Sequence, residues 1–341
     1  VSTGNDPAAS APLPPGLLAW HEQARRNVAA AEAGGRLPHA VLVHGPAGVG
    51  KERFAGALAA ALLCSGRGTR LEACGVCAEC ALTRAGTHPD LHWLRPPEDR
   101  KSIGVDQVRE ASERLAMTSM RRGFRIAVVA PAHAMTTSAQ NALLKTLEEP
   151  APRTLLVLVT SRPSSLLATL RSRCQRLEIA CPAPQVASEW LAGQLGAAVP
   201  AGLLDAAGGA PLRALEIAPH FEALDGGMSS LIEDLLAGRV EACAAAAAMV
   251  GDGLPARLDW LERWLATVIR VRAGASETAV TVRGGAVLQR AAREVNISAA
   301  FRLVDRLRET RRLLEGSAAA QLTIEALLVE LGRVLGRLGG G

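Results

Sequence analysis

An α/β domain built on a parallel sheet, followed by an all-helical second half, is the fold this sequence predicts, and three observations predict it. Short β-branched apolar runs alternate with helix-like segments through the first half of the chain. A glycine-rich turn joins the first of those runs to the first long helical pattern. Beyond residue 181 the strand signal stops, and apolar residues recur three and four apart.

Taken in order, His39–His44 (HAVLVH) reads as a buried strand, Gly45–Gly50 as a turn, and the Ala/Leu-rich stretch through Cys64 as a helix. Arg125–Ala130 (RIAVVA) and Leu155–Thr160 (LLVLVT) are two more strands, apolar enough for a sheet covered on both faces. Between them Thr137–Glu149 is predicted helical, with Thr and Ser at its start, Leu143, Leu144 and Leu147 on one face and Pro150 as its stop. Pro182–Ala218 fits short helices with glycine-rich turns. From about Phe221 the pattern is helical to the end, including the alanine tract Ala244–Ala248, Ser298–Glu315 and Leu322–Leu338. The expected division is a flexible tail at 1–19, an α/β domain at 20–181, a small helical domain at 182–222 and a C-terminal helical domain at 223–341.

At 341 residues, 49% hydrophobic, the chain has ample material for real cores. Lys and Arg number 38 against 33 acids, for a net charge of +5, and only Lys51, Lys101 and Lys145 are lysine. That arginine excess, with much Ala and Gly, reads as coding bias; the charge permits an anionic partner without demanding one. No apolar run approaches the roughly 18 residues of a membrane span. Val1–Pro15 lacks the basic and apolar regions of a signal peptide and reads as a loose tail. Of seven cysteines four crowd into Cys64–Cys80, which fits metal in a reducing compartment better than a disulfide framework. A soluble, cytoplasmic protein is expected.

Gly45-Pro-Ala-Gly-Val-Gly-Lys51 has the spacing and context of a phosphate-binding loop, with Gly45, Gly48 and Gly50 shaping the backbone and Lys51 reaching for phosphate. The next position needs a hydroxyl for Mg²⁺ but holds Glu52. The strand Arg125–Val129 runs into Ala130-Pro131-Ala132-His133, and no Asp or Glu appears before Glu148. A hydrolytic site needs a carboxylate there. The expectation is a degenerate loop that binds nucleotide weakly if at all and performs no hydrolysis, with His133 structural or exposed.

Cys64, Cys74, Cys77 and Cys80 follow C-x9-C-x2-C-x2-C. Such turns converge thiolates on one tetrahedral ion, so one structural zinc is expected, closed to catalysis by its fourth sulfur. Part of an iron–sulfur site, or buried redox-active thiols, are the alternatives. Cys174, Cys181 and Cys243 are expected to pack as small apolar residues.

Several stretches together resemble one family: Arg36-Leu-Pro-His-Ala40, the four cysteines, Ala85-Gly-Thr-His-Pro-Asp90, Gly104-Val-Asp-Gln-Val-Arg109, Asn141-Ala-Leu-Leu-Lys-Thr-Leu-Glu-Glu-Pro150 and Leu170-Arg-Ser-Arg-Cys174. The family is that of the delta-prime subunits of the bacterial DNA polymerase III clamp loader. The resemblance is strong from about Trp20 to Ile179, weaker through Ala207–Leu215 and architectural beyond. It implies an AAA+ module with a zinc insertion at 64–80, a helical lid and a helical collar that closes a pentameric ring. It also implies the partners: gamma/tau ATPase and delta subunits, with the sliding clamp and primed DNA met through the assembled loader, and no membrane. In such loaders the Ser-Arg-Cys arginine acts in trans on ATP held by a neighbouring subunit; Ser172, Arg173 and Cys174 match it. Pairing of Arg173 with a carboxylate of its own chain is the alternative. Arg213, in Gly209-Ala-Pro-Leu-Arg213, matches the lid arginine that senses nucleotide and here is expected only to secure the lid. The motor subunits carry Asp-Glu where this chain has Ala130-Pro131, so no ATPase or polymerase active site of its own is expected.

Two rival functions stay open: a gamma/tau-like ATPase with its own turnover, and a zinc-dependent nucleic-acid-binding module. Against the second, Cys64–Cys80 contains only Arg67 and Arg70 as basic residues and no aromatic one. In the C-terminal helices Phe301, Val304 and Leu307 form one apolar stripe, and Ile324, Leu327, Leu328, Leu331 and Leu335 another. A collar would bury one face and offer another to neighbours. Arg302, Arg306, Arg308, Arg311 and Arg312 read as a solvated face.

Overall fold

The structure, a computed structural model, describes residues 16–121, 123–251, 253–274, 285–314 and 319–335. Residues 1–15 of the expected tail, Glu315 and residues 336–338 of the two C-terminal helices lie outside them. The chain divides after Pro182 into two compact units.

The first unit contains α1 (Glu22–Ala33), β1 (Ala40–His44), α2 (Lys51–Leu63), α3 (Ala78–Ala85), β2 (Leu91–Leu94), α4 (Val105–Ala116), β3 (Arg125–Val129), α5 (Thr137–Glu148), β4 (Thr154–Thr160), α6 (Ala168–Arg171) and β5 (Gln175–Glu178). The strands form one sheet in the order β2-β3-β4-β1-β5, every pairing parallel. All seven residues of β4 are buried, as are the five of β3, because helices cover both faces. Edge strands β2 and β5 were not among the expected elements. Each has four residues, and Gln175-Arg-Leu-Glu178 buries only Leu177. Sheet pairing, not their own pattern, makes them strands.

Helix α5 shows how closely local rules were obeyed. The Thr136 hydroxyl accepts from the Ala139 N–H at 3.2 Å, Leu143 and Leu147 are buried, and the helix ends ahead of Pro150. Its buried Gln140 donates to the Met135 carbonyl and accepts from the Leu167 N–H at 2.8 Å, tying α5 to the entrance of α6.

The second unit contains helices and no strand among its described residues: α7 (Pro184–Leu195), α8 (Leu203–Ala206), α9 (Pro211–Ile217), α10 (Phe221–Leu236), α11 (Ala242–Met249), α12 (Leu254–Arg272), α13 (Gly285–Glu294), α14 (Ile297–Leu314) and α15 (Ala320–Leu335). One small core gathers Leu191, Leu203, Ala214 and Phe221. A larger one runs from Met228 to Leu335 and contains Ile324, Leu327, Leu328, Leu331 and Leu335, all fully buried. The other expected stripe divides. Val304 and Leu307 are buried with Ala300 and Leu303, but Phe301, one residue round the helix from Ala300, is 54% exposed. Cys243 is exposed as well, because α11 turns Ala245, Ala246 and Met249 inward. Nor is the arginine face simply solvated: Arg311 is half-buried between Asp259 at 2.5 Å and Glu262 at 3.0 Å. Among the described residues no helix is long and apolar enough to cross a membrane.

Candidate functional site

The glycine loop leaves the C-terminal end of β1 and opens α2. Gly45 has φ +145°, and a Cβ there would overlap the Ile179 carbonyl; Gly50, φ +83°, places its α-hydrogens against Leu18 and the His21 ring. Lys51 is buried, its ammonium donates back to the Pro46 carbonyl, and burial lowers its pKa to about 8. Glu52 points to Arg95 at 3.1 Å, and that guanidinium lies 4.7 Å from the Trp93 ring centre. From the other side the Trp20 Nε1 and His21 Nε2 protons both go to the Val49 carbonyl at 2.9 Å. His21 Nδ1 accepts from the Leu18 N–H at 3.2 Å, so the ring is neutral with its proton on Nε2, and burial lowers its pKa. The loop is thus bound by its own chain through lysine, carboxylate and backbone. His133 Nδ1 stands 3.1 Å from the Thr160 hydroxyl, which accepts from the Arg162 N–H at 3.0 Å, so the imidazole bridges the ends of β3 and β4.

The four cysteines converge. Their sulfurs all lie within 4.8 Å of one another, with Cys64–Cys77 at 3.8 Å and Cys74–Cys80 at 4.0 Å. A tetrahedron with bonds of about 2.3 Å has edges of about 3.8 Å, so the donor set and its spacing fit one zinc ion. Cys64 caps the end of α2 and Cys77 the start of α3, where its sulfur accepts from the Cys80 N–H. The Ser65 hydroxyl and that N–H hold the Cys77 thiol down to about 5, whereas burial pushes Cys80 up to about 12. A cation among the sulfurs would favour four thiolates.

A network that sequence reading did not assign anchors this module. Buried Asp90 accepts from the Ser119 hydroxyl at 2.9 Å and from the Met120 and Arg121 N–H groups at 3.0 Å. His88 Nδ1 accepts from the Asp90 N–H, while its Nε2 meets Glu79 of α3 at 3.1 Å; Glu79 in turn pairs with Arg121 at 2.8 Å. The His-Pro-Asp of residues 88–90 is visible as a motif, but the partners of Asp90 lie 29 to 31 residues away in sequence.

Ser172, Arg173 and Cys174 form the corner between α6 and β5. Cys174 is buried, its thiol raised to about 11 by burial, and the Ser172 hydroxyl donates to the Thr169 carbonyl at 3.0 Å. Arg173 is exposed, and it does pair within its own chain: Nη2 reaches Glu148 at 2.7 Å and Nη1 the Thr169 carbonyl at 3.0 Å. β1 and β5 are parallel neighbours, with the glycine loop at the C-terminal end of β1 and Arg173 just before the N-terminal end of β5. The two sites therefore occupy opposite ends of the sheet. In the second unit Arg213 pairs with Asp259 of α12, which also holds Arg311.

Family models described as DNA polymerase III, delta subunit, and its C-terminal part match residues 20–183 and 228–333. A DNA polymerase III subunit delta' from Pseudomonas aeruginosa is 39% identical over 249 residues, 70% of this chain and 74% of that relative. The chain belongs to the delta-prime family. A delta' relative from Escherichia coli is 35% identical, covering 78% of this chain and 80% of its own length. A DNA polymerase III subunit gamma/tau from Mycobacterium bovis is 36% identical over 41% of this chain but only 24% of its own length, so what delta-prime and gamma/tau chains share here is a module.

Proposed function

We propose that this delta-prime chain is the ring member of a DNA polymerase III clamp loader that does not hydrolyse ATP and instead supplies Arg173 to ATP bound by the adjoining gamma/tau subunit. In this reading residues 20–181 are the AAA+ module, 182–222 the lid and 223–341 the collar that joins the ring, with delta as another neighbour. The assembled loader then places a sliding clamp on primed DNA. One structural zinc held by Cys64, Cys74, Cys77 and Cys80 stiffens the insertion and takes no part in chemistry.

The observation that carries this reading is the placement of Arg173. It stands exposed at the end of the sheet opposite its own glycine loop, so a ring in which one chain's corner meets the next chain's loop is what gives it a phosphate to act on. Its permanent charge and planar fork suit the developing charge of phosphoryl transfer. The missing hydroxyl at Glu52, the missing carboxylates after β3 and the self-bonded Lys51 support the absence of turnover in the chain's own loop. Arg213, engaged by Asp259, fits a role in securing the lid.

The test is DNA- and clamp-stimulated ATP hydrolysis by the reconstituted loader carrying Arg173→Ala. A loss on the order of 10³-fold with assembly intact is expected; unchanged turnover would remove the finger role.

A further inference from the structure

We propose that Glu148 is a positioning residue for Arg173, so that the carboxylate ending α5 sets the reach of the finger across the subunit boundary. The inference rests on the trans-acting role of Arg173 and adds a second residue to it.

Two anchors from different segments hold the guanidinium. Glu148 Oε1 accepts from Nη2 at 2.7 Å, and the Thr169 carbonyl at the start of α6 accepts from Nη1 at 3.0 Å. A guanidinium carries five N–H groups. These contacts use two and leave the Nε proton and one on each terminal nitrogen for oxygens of another molecule. Fixing both terminal nitrogens selects one setting of a long side chain that otherwise samples many.

Glu148 is itself carried on a rigid element. α5 is capped by Thr136, packed through Leu143 and Leu147, and tied to the entrance of α6 by Gln140. Both members of the pair are substantially exposed, with side-chain accessibilities of 37% and 52%. Exposed pairs add little to folding stability, so orientation is what this one can supply. The adjacent Glu149 is also exposed and carries the same charge but makes no contact with Arg173 among the described residues, which makes it an internal control.

The experiment measures stimulated ATP turnover of the reconstituted loader with Glu148→Ala, Glu148→Gln, Glu149→Ala, Arg173→Ala and the Glu148→Ala/Arg173→Ala double variant. Glu148→Ala should lower kcat roughly tenfold with KM for ATP unchanged, since ATP is held by the neighbour. Glu148→Gln, whose amide oxygen still accepts, should fall between, and Glu149→Ala should match the wild type. The double variant should be no slower than Arg173→Ala alone. Unchanged or faster turnover in Glu148→Ala, with Arg173→Ala crippled, overturns the inference and leaves the finger standing. A further loss on top of Arg173→Ala also overturns it, placing the effect of Glu148 in assembly. Normal turnover in Arg173→Ala overturns the finger and the inference together.

Discussion

The glycine loop and the Ser172–Cys174 corner sit at opposite ends of two paired strands, and they treat their cations in opposite ways. At the loop the cation is drawn inward: Lys51 is buried on the Pro46 carbonyl, Trp20 and His21 occupy the Val49 carbonyl, and the half-exposed Glu52 is paired with Arg95. At the corner, a buried cysteine and a backbone-bonded serine hold an arginine outward with donors to spare. The contrast teaches that the shape of a phosphate loop depends on backbone and packing, whereas hydrolysis depends on particular side chains.

The sharpest way to break this comparison is to neutralise both ends in parallel. Arg173→Ala should cost the loader about 10³-fold in stimulated turnover, whereas Lys51→Ala in the same subunit should stay within about twofold. Equal losses would erase the distinction. The cysteine module comes next. With one zinc held by the four cysteines as proposed, Cys77→Ser should abolish metal retention, measured by elemental analysis, and lower the unfolding free energy by on the order of 3 kcal/mol or more; an unchanged urea midpoint would make the cluster dispensable for folding. Asp90→Ala leaves the half-buried Ser119 hydroxyl and two backbone N–H groups without their acceptor. It should cost about 3 kcal/mol by urea titration with the four cysteines intact.

The smallest expected effect is a pH dependence at the loop. Burial depresses the His21 pKa below the ordinary histidine value of about 6.5 in the folded chain. The unfolded state therefore takes up a proton first as pH falls, so the stability this neutral ring contributes is complete above 6.5 and is lost progressively below it. Urea midpoints between pH 7 and pH 5 should decline less steeply in His21→Phe than in the wild type; parallel declines would assign the dependence to other groups.

Much of the functional reading was legible in residue order. The loop, the serine or threonine missing after Lys51, the absent acids after β3 and the C-x9-C-x2-C-x2-C spacing are properties of contiguous sequence. The pairings that give those residues their behaviour were not. Glu52 and Arg95 are 43 positions apart, Arg173 and Glu148 25, and Asp90 reaches its backbone donors across 30 and 31. Phe301 fits an apolar stripe by spacing alone, yet one helical step decides that it faces outward.

By itself the sequence determined the alternation of strands and helices, the geometry of the glycine turn, the ability of four thiols to meet on one ion and the absence of a hydroxyl directly after Lys51 and of an acid between β3 and Glu148. Those follow from local propensity and from chemistry within a few residues. Only the tertiary structure decided the strand order, which makes strands of Leu91–Leu94 and Gln175–Glu178 and sets the loop and the arginine at opposite ends of the sheet. The reason is that pairing across a sheet and the choice of counter-ion are settled by which segments arrive at the same place, a property no window of sequence contains.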